Sequence, residues 1–210
     1  MRIISGEFRH RVLVTPKDDS VTRPIPDRVK ESLFSLLRGH FEGATFFDGF
    51  AGTGAIGLEA ISRGAARCVF VERDKEIVKI LRQNIENLEC GDRCDVIHGD
   101  VLGAGALASA PRPLNLAFLD PPYPMVEEPI GLKRVKAQLE QLVQLLTPDG
   151  YVLLRTPWPF RHLIIDAPPP PTGAEGMVAD ILAAREPSRK DKRSMVKKGR
   201  SWRRHAEAMD

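Results

Sequence analysis

The stretch FLDPPYP, residues 118–124, ends an apolar run with an acid, two prolines and an aromatic ring. Pro121 and Pro122 have no backbone N–H and fix φ, so the chain cannot continue a sheet here and presents carbonyl acceptors instead. The Asp120 carboxylate and a carbonyl near Pro121 could accept both N–H bonds of an exocyclic amino group on a planar base, and Tyr123 could stack on that base. A rigid turn is the alternative, since Asp and Pro also favour turns.

The acid at position 120 bears on which base could be bound. A carboxylate only accepts hydrogen bonds, so it suits the edge of guanine, where N1–H and the N2 amino group are both donors. The N6 amino group of adenine also remains compatible with Asp120. In either case the two hydrogen bonds would draw the lone pair of the amino nitrogen out of conjugation with the base. The lone pair could then point at the methyl group of a bound donor, held at near-attack distance.

A glycine loop, DGFAGTGAIG at residues 48–57, is the second stretch that could perform chemistry. Gly52, Gly54 and Gly57 spell GxGxxG between a predicted strand and a predicted helix, which is the fingerprint of dinucleotide binding. Glu72, at the end of the next predicted strand, stands where a ribose-binding acid belongs. An NAD-linked oxidoreductase is therefore one interpretation.

Asp48 argues against a dinucleotide. This carboxylate directly precedes the loop, where a pyrophosphate would approach the N-terminus of the helix and meet a like charge. S-adenosylmethionine suits the position better, because it carries an ammonium and a sulfonium and no phosphate. Its ribose hydroxyls could bind Glu72, and Asp100, which closes the third predicted strand, could accept a hydrogen bond from the adenine amino group. A capped surface turn is the alternative role for Asp100.

Apolar stretches alternate with amphipathic helical stretches between residues 44 and 155. This alternation predicts a mostly parallel sheet covered on both faces, and hence a doubly wound, Rossmann-like α/β fold. Because the carboxyl ends of parallel strands meet at one edge, Asp120 and the glycine loop should lie together. Strands are predicted at residues 44–47, 68–72, 95–100, 116–120 and 151–155, the last after an Asp149–Gly150 turn, and helices at residues 55–63, 77–88 and 127–146.

The flanking segments complete the predicted organisation. Residues 2–14 predict a short β-hairpin that turns at Ser5–Gly6, and a helix follows to about Leu37. After a proline-rich connection, residues 177–184 are predicted to form a closing edge strand rather than a short helix. The predicted division is a substrate-side extension at residues 1–40, a methyltransferase-like core at residues 41–186 and a basic, disordered tail at residues 187–210.

Charge is unevenly distributed in a chain whose net charge is +3. Residues 187–210 hold nine Lys or Arg against three acids, so this tail could contact phosphates and release counterions, or could simply aid solubility. Near the N-terminus, Arg23 is the favoured contact because Pro24 stiffens its loop. The candidate nucleic-acid-binding residues are Arg2, Arg9, Arg11, Arg23, Arg28 and Lys30, with a solvated charged face as the alternative.

Several classes of protein are disfavoured by composition. Three cysteines without a CxxC pair and five histidines without metal-ligand spacing indicate neither a disulfide framework nor a metal site. The N-terminus is too polar for a signal peptide, and no apolar stretch approaches about 18 residues. We therefore expect a cytoplasmic protein, a monomer without metal or membrane contact.

The motifs together resemble those of one family. MRIISGEFR, TRPIPDRVKESLFSLL, DGFAGTGAIGLEAISRGA, VFVERD and DPPY are similar, in this order, to the motifs of the bacterial 16S ribosomal RNA guanine-N2 methyltransferases of the RsmD type. The resemblance covers residues 1–155 and implies S-adenosylmethionine as the cofactor. It implies cofactor binding by Asp48, Phe50, Ala51, Gly52, Thr53, Gly54, Glu72, Arg73, Asp100 and Val101, and catalysis by Asp120, Pro121, Pro122 and Tyr123.

The sequence also departs from that family. Gly49 and Thr53 replace a leucine and a serine, and RTPWP at residues 155–159 stands where such proteins tend to place an acid. The leading hypothesis is methylation of guanine N2 in ribosomal RNA that presents its base in a folded or protein-bound context, such as a small-subunit assembly particle. The alternatives are a DNA or other nucleic-acid amino-methyltransferase acting on adenine N6 or cytosine N4, the NAD-linked oxidoreductase, and a catalytically silent RNA-binding module.

Overall fold

A twisted sheet with the strand order β3-β2-β1-β4-β5-β6 forms the centre of the protein. The computed structural model describes residues 1–16, 25–156 and 178–183. Strands β1 to β5 are parallel, and β6 pairs antiparallel with β5. The order reverses between β1 and β4, which is the switch point where doubly wound sheets bind ligands. The strands are β1 Thr45–Gly49, β2 Arg67–Glu72, β3 Cys94–His98, β4 Leu114–Leu119, β5 Leu146–Thr156 and β6 Val178–Ala183.

Helices cover both faces of the sheet, as the predicted fold class requires. Neighbouring residues on a strand point to opposite faces, so Phe46 and Phe47 of β1 are both buried but belong to different core clusters. The Phe46 cluster packs against α1, α2 and α3, and the Phe47 cluster packs against α4, α5 and α6. These helices are α1 Asp27–Leu36, α2 Gly57–Ser62, α3 Lys75–Asn87, α4 Ala104–Ser109, α5 Tyr123–Glu127 and α6 Pro129–Val143.

The start and the buried face of α3 follow directly from its sequence. The Asp74 side chain accepts hydrogen bonds from the backbone N–H groups of Glu76 and Ile77, at 2.8 and 3.1 Å, which satisfies donors that the first turn leaves unpaired. Ile77, Leu81 and Ile85 are buried on the face that was predicted to point inward. Asp74, two residues after the end of β2, therefore fixes where α3 begins.

The boundary between the last predicted helix and the fifth predicted strand lies earlier in the chain than expected. The helix predicted over residues 127–146 is α6, which ends at Val143, and β5 already begins at Leu146. Pro148 lacks the N–H that a longer helix would need and disfavours helical backbone at the residue before it. The predicted Asp149–Gly150 turn lies within β5, where the register shifts, since Leu114 pairs with Leu146 while Leu116 pairs with Tyr151.

The other secondary-structure predictions have mixed outcomes. The edge strand predicted at residues 177–184 is confirmed as β6. Neither α4 nor α5 was predicted. The proline-rich connection and the basic tail lie outside the described residues. No helix within residues 1–16 and 25–156 is long and apolar enough to span a bilayer.

The N-terminal segment forms a looser hairpin than predicted. Arg2 and Val12 form an antiparallel bridge, with backbone hydrogen bonds from Ile3 to Arg11 and from Leu13 to Met1, and the intervening loop is longer than the expected turn at Ser5–Gly6. Ile3, Phe8 and Leu13 anchor the segment in the core cluster that contains α2. The segment is therefore packed onto the α/β core.

A buried ion pair fastens this segment to α2 and overturns one prediction. Lys30 and Glu59 are both fully buried, and their side chains lie 3.0 Å apart. The Lys30 ammonium also donates to the carbonyl of Arg2 at 3.0 Å. The prediction that Lys30 contacts phosphate is wrong, because its charge is already paired and lies away from solvent. Burial lowers the pKa of Lys30, although the neighbouring Glu59 opposes that shift.

Candidate active site

The carboxyl ends of the parallel strands surround one cavity of about 780 Å³. This volume lies in the range of small-molecule sites, which is about 300–1,000 Å³. The cavity sits at the switch point between β1 and β4, and Asp120, directly after β4, donates its backbone N–H to the carbonyl of Gly49 on β1 at 3.4 Å. All predicted catalytic residues line it, as do the predicted cofactor-binding residues Asp48, Phe50, Ala51, Gly52, Thr53, Glu72, Arg73, Asp100 and Val101.

The glycine loop turns sharply between β1 and α2. Phe50, Gly52 and Gly54 all have positive φ, at 63°, 55° and 87°. At Gly54 a Cβ atom would lie 2.5 Å from a methyl carbon of Leu81, so a side chain there would clash with the core, and Gly54 does not itself line the cavity. At Gly57 a Cβ atom would lie 2.2 Å from the ring of Phe70. Glycine at this position therefore lets the start of α2 lie directly on β2.

Asp48 lies at the base of the cavity and is held by the start of α2. Its side chain accepts a hydrogen bond from the backbone N–H of Gly57 at 2.8 Å, and only 2% of the residue is exposed. Burial raises the pKa of Asp48 well above its ordinary value, the Gly57 bond opposes this shift, and the charges of Asp120 and Glu72 add to it. An additional anion here would be repelled by Asp48 and Glu72, whereas a cation would relieve the repulsion between them.

Glu72 braces the glycine loop from the end of β2. One of its carboxylate oxygens accepts from the N–H of Gly52 and the other from the N–H of Asp74, each at 2.9 Å. A carboxylate has about four lone-pair sites, so Glu72 can still accept bonds from the hydroxyls of a ligand. Glu72 therefore fixes the loop in addition to the ligand-binding role that the sequence predicts.

Asp100 lines the far end of the cavity and is paired with a cation. It accepts from the N–H of Leu102 at 3.0 Å and from the Arg134 guanidinium at 2.8 Å. Partial burial acts to raise the pKa of Asp100, but the bonds from Leu102 and Arg134 outweigh it and the net pKa is lowered. Asp100 is thus an ionised acceptor. Sequence reasoning did not find Arg134, which comes from α6.

Asp120 forms the most densely paired cluster of the site. The Arg155 guanidinium donates to both carboxylate oxygens of Asp120, at 2.8 and 3.0 Å, and to the hydroxyl of Tyr123 at 3.0 Å. Pro121 is buried, while Pro122 is exposed and precedes α5, which begins at Tyr123. Burial raises the pKa of Asp120 and the Arg155 charge opposes that shift.

Arg155 entered the sequence analysis only as a departure from a family pattern. The register could have identified it, because Leu119 pairs with Leu154 and the next residues, Asp120 and Arg155, therefore lie side by side. That register depends on the irregularity in β5, which periodicity alone does not reveal. A cation placed directly against Asp120 is thus the main feature of the site that the sequence did not predict.

The N-terminal segment supplies one wall of the cavity. Met1, Thr15, Pro16, Ile25 and Pro26 line it, and none of these residues was predicted from the sequence to belong to the site.

Asn84 of α3 ties this wall to the glycine loop. Its side chain exchanges hydrogen bonds with the N–H and carbonyl of Val14, at 2.7 and 3.0 Å, and donates to the carbonyl of Thr53 at 3.0 Å. The wall and the glycine loop are therefore held in one arrangement by a single buried amide.

The structure does not bring the predicted nucleic-acid-binding cations to the cavity. Arg2, Arg9, Arg11 and Arg28 are exposed but do not line it. Arg2 pairs with Asp27 at 3.5 Å, and Arg11 donates to the carbonyl of Asn87. Arg23, the favoured candidate, lies outside the described residues. Within residues 1–16 and 25–156, no group of three or more His, Cys, Asp or Glu could hold a metal ion.

Comparisons with known proteins point to one family. Residues 1–163 match the family described as Conserved hypothetical protein 95. Ribosomal RNA small subunit methyltransferase D of Escherichia coli K12 is 39% identical over 152 residues, which cover 72% of this chain and 69% of that protein. The protein of the same name from Haemophilus influenzae is 32% identical over 172 residues, covering 74% of this chain and 86% of the relative.

A solved structure agrees with these relatives. A hypothetical protein of Thermus thermophilus, TTHA0928, superposes with a TM-score of 0.60 at 33% identity, covering 75% of this chain and 86% of that one. Precorrin methyltransferases superpose at 16–17% identity, which shows the shared fold alone. The chain belongs to the Conserved hypothetical protein 95 family, the family of the small-subunit ribosomal RNA methyltransferases D.

Proposed function

We propose that this protein transfers a methyl group from S-adenosylmethionine to the exocyclic N2 amino group of a guanine in 16S ribosomal RNA. One observation carries the proposal: the Asp120 carboxylate and the acidic glycine-loop site open onto the same cavity at the switch point of the sheet. The names of the relatives support ribosomal RNA of the small subunit as the substrate.

The charge of the cavity fits this cofactor. When bound, S-adenosylmethionine supplies a methyl group on a positively charged sulfur. Asp48 would hold the ammonium of the methionine part, Glu72 the ribose hydroxyls and Asp100 the adenine amino group. Arg155 already pairs with Asp120, so Asp48 and Glu72 are the carboxylates that favour a cationic ligand over a diphosphate beside the glycine loop. The same cluster disfavours the NAD-linked oxidoreductase.

Asp120 has a direct role in the proposed step. Its carboxylate and a carbonyl near Pro121 accept the two N–H bonds of the amino group, so that the nitrogen lone pair points at the methyl carbon. The new N–C bond forms as the S–C bond breaks and the sulfur keeps the electron pair. The nitrogen then loses one proton, and Asp120 can accept it because burial makes this carboxylate more basic than an exposed aspartate.

Tyr123 would position the base. Tyr123 opens α5 beside Asp120, and its ring can stack on a base, which is worth about 1–3 kcal/mol in single-stranded recognition. A base within a helix would first have to be extruded, so we propose a substrate that presents it, such as a small-subunit assembly particle in the cytoplasm. We further propose that the protein acts as a monomer.

Transfer of a labelled methyl group tests the proposal. The wild-type protein is incubated with labelled S-adenosylmethionine and, separately, naked 16S RNA, small subunits and DNA. We expect label on guanine N2 of the RNA substrates and a loss of at least about 100-fold in Asp120→Asn. The matched control is Asp92→Asn, an exposed aspartate at Gly91–Arg93, which should leave the rate unchanged.

Other outcomes identify other activities. Label on adenine N6 or cytosine N4, or on DNA alone, would replace the proposed substrate. Thermal stabilisation by NADH and not by S-adenosylmethionine would replace the proposed reaction. Full activity of Asp120→Asn would remove Asp120 from the mechanism.

A further inference from the structure

Arg155 binds two parts of the candidate active site at once. One terminal nitrogen of its guanidinium donates to both carboxylate oxygens of Asp120, and the other donates to the hydroxyl of Tyr123. The guanidinium carbon lies 5.6 Å from the centre of the Tyr123 ring. Arg155 comes from β5, whereas Asp120 follows β4 and Tyr123 opens α5, so one side chain links three elements of the fold.

The pairing leaves Asp120 able to act. Each carboxylate oxygen has two lone-pair sites and uses one on Arg155, so each oxygen keeps one acceptor site. Tyr123 accepts from Arg155 through its oxygen, which leaves its own O–H free to donate. The guanidinium therefore fixes the direction of the carboxylate without using all its acceptor capacity.

Stability alone does not account for Arg155. The Arg155 side chain is 16% exposed and that of Asp120 is 15% exposed, so both charges are largely removed from water. The Nε atom of Arg155 is fully buried and has no hydrogen-bond partner among the described residues. A buried ion pair contributes little net stability, because the cost of removing both charges from water offsets their attraction.

We propose that Arg155 is a positioning residue: its guanidinium orients the Asp120 carboxylate towards the amino group of the substrate and keeps it in the ionised, accepting form. The inference rests on the proposed methyl transfer, because the orientation of Asp120 matters only if Asp120 meets the amino group.

The surroundings of Asp120 explain why a cation is needed there. Asp48 faces it from β1 as a like charge, Tyr123 faces it from α5, and Glu127 of α5 lines the same cavity. Arg155 of β5 is the cation that contacts Asp120 among the described residues. Burial raises the pKa of Asp120 and Arg155 opposes that shift, so removing Arg155 would raise this pKa further. A protonated Asp120 would donate a hydrogen bond where the amino group needs an acceptor.

Two variants separate orientation from charge. Arg155→Met removes both the charge and the hydrogen bonds while keeping a long side chain. Arg155→Lys keeps the charge, but a single ammonium cannot reproduce the planar link between Asp120 and Tyr123. The matched control is Arg67→Met, which removes an exposed arginine that pairs with Asp95 at 2.6 Å and does not line the cavity.

The experiment measures the titration of Asp120 in the free protein and the rate of methyl transfer in the presence of the substrate. Carboxyl carbon NMR of protein labelled at aspartate follows the titration of Asp120 directly, with Asp120→Asn used to assign its signal, and urea unfolding checks that each variant folds. Methyl transfer to the RNA substrate is then measured as a function of pH.

We expect Asp120 to titrate at higher pH in Arg155→Met than in the wild type. The turnover number of this variant should fall at least about tenfold on the acid side of the profile, and the difference should narrow as the pH rises. Arg155→Lys should titrate close to the wild type but turn over more slowly, and Arg67→Met should match the wild type in both measurements.

The possible contrary results separate the proposal for Arg155 from the proposed function. An unchanged titration in Arg155→Met, or the same shift in Arg155→Lys, overturns the proposal for Arg155. A shifted titration without a shifted acid limb also overturns it, because activity would then not depend on the ionised form. A shifted titration together with a wild-type protein that transfers no methyl group supports the effect of Arg155 on Asp120 and removes the proposed function instead.

Discussion

Glu59→Gln should destabilise the protein strongly and loosen the N-terminal wall of the cavity. One oxygen of the Glu59 carboxylate accepts from the N–H of Ser5 and from Arg63, at 3.0 and 2.8 Å. The other accepts from the N–H of Ile4 at 2.8 Å and from the buried ammonium of Lys30 at 3.0 Å. A glutamine has one oxygen and one amide nitrogen, so in either orientation two of these four donors would face another donor.

The expected magnitude follows from the burial of this pair. Because both Lys30 and Glu59 are fully buried, loss of the negative charge leaves an uncompensated ammonium in the core. Breaking such a pair destabilises a protein by about 3–5 kcal/mol. For a chain of this size, each kcal/mol corresponds to about 2–4 °C, so we expect the melting temperature to fall by about 6–20 °C.

Thermal unfolding and methyl transfer together test this expectation. Glu76→Gln is the matched control, since Glu76 is exposed and pairs with Lys79 on the surface, where such a pair contributes about 0.5 kcal/mol or less. At a temperature where Glu59→Gln is folded, KM for the RNA substrate and Kd for the cofactor should both rise, because Met1, Thr15 and Pro16 line the shared cavity and belong to the segment that Glu59 anchors. A melting temperature within about 2 °C of the Glu76→Gln value would refute the reasoning.

Two further substitutions test the glycine loop. Asp48→Asn keeps an oxygen for the N–H of Gly57 but removes the charge. The folded-state pKa of Asp48 lies above its ordinary 3.8, so the stability of the wild type should decline as the pH rises from that value through the folded pKa. Thermal unfolding between about pH 4 and pH 8 should show a smaller decline in the variant. The same variant should lose stabilisation by S-adenosylmethionine, and an unchanged ligand-induced shift would remove Asp48 from the binding site. Gly57→Ala should destabilise by about 1–3 kcal/mol in urea unfolding, because its methyl group would overlap the ring of Phe70. Gly105→Ala in α4, where a Cβ atom has nothing within 4 Å, should be neutral or slightly stabilising, and equal effects of the two substitutions would contradict the proposed close packing of α2.

The fold was predictable because its pattern is local. Unbroken apolar strands such as CVFVE and LAFLD, separated by amphipathic helices, leave few arrangements other than a doubly wound sheet. Once the strands are parallel, Asp48 and Asp120 must lie at the same edge. The shared cavity follows from this topology, since both residues come at the carboxyl ends of neighbouring strands.

The parts that sequence reasoning missed depend on contacts between distant elements. Lys30 was assigned to phosphate as one of several basic residues near the N-terminus, and only the buried Glu59 of α2 explains its true position. Arg155 contacts Asp120 only because β5 contains an irregularity that sets its register against β4. Asn84 looks like an ordinary helical residue until its three hydrogen bonds to Val14 and Thr53 are seen.

The most direct test of the central claim is a crystal structure with a non-reactive analogue of S-adenosylmethionine. A base nitrogen hydrogen-bonded to Asp120 and in near-attack contact with the methyl carbon requires that carbon to lie within about 6–7 Å of the nearest Asp120 carboxylate oxygen. We predict this distance, with the ammonium of the analogue beside Asp48. A methyl carbon, or the atom that replaces it in the analogue, more than about 10 Å from the nearest Asp120 carboxylate oxygen would contradict the account, because two such contacts cannot span that distance.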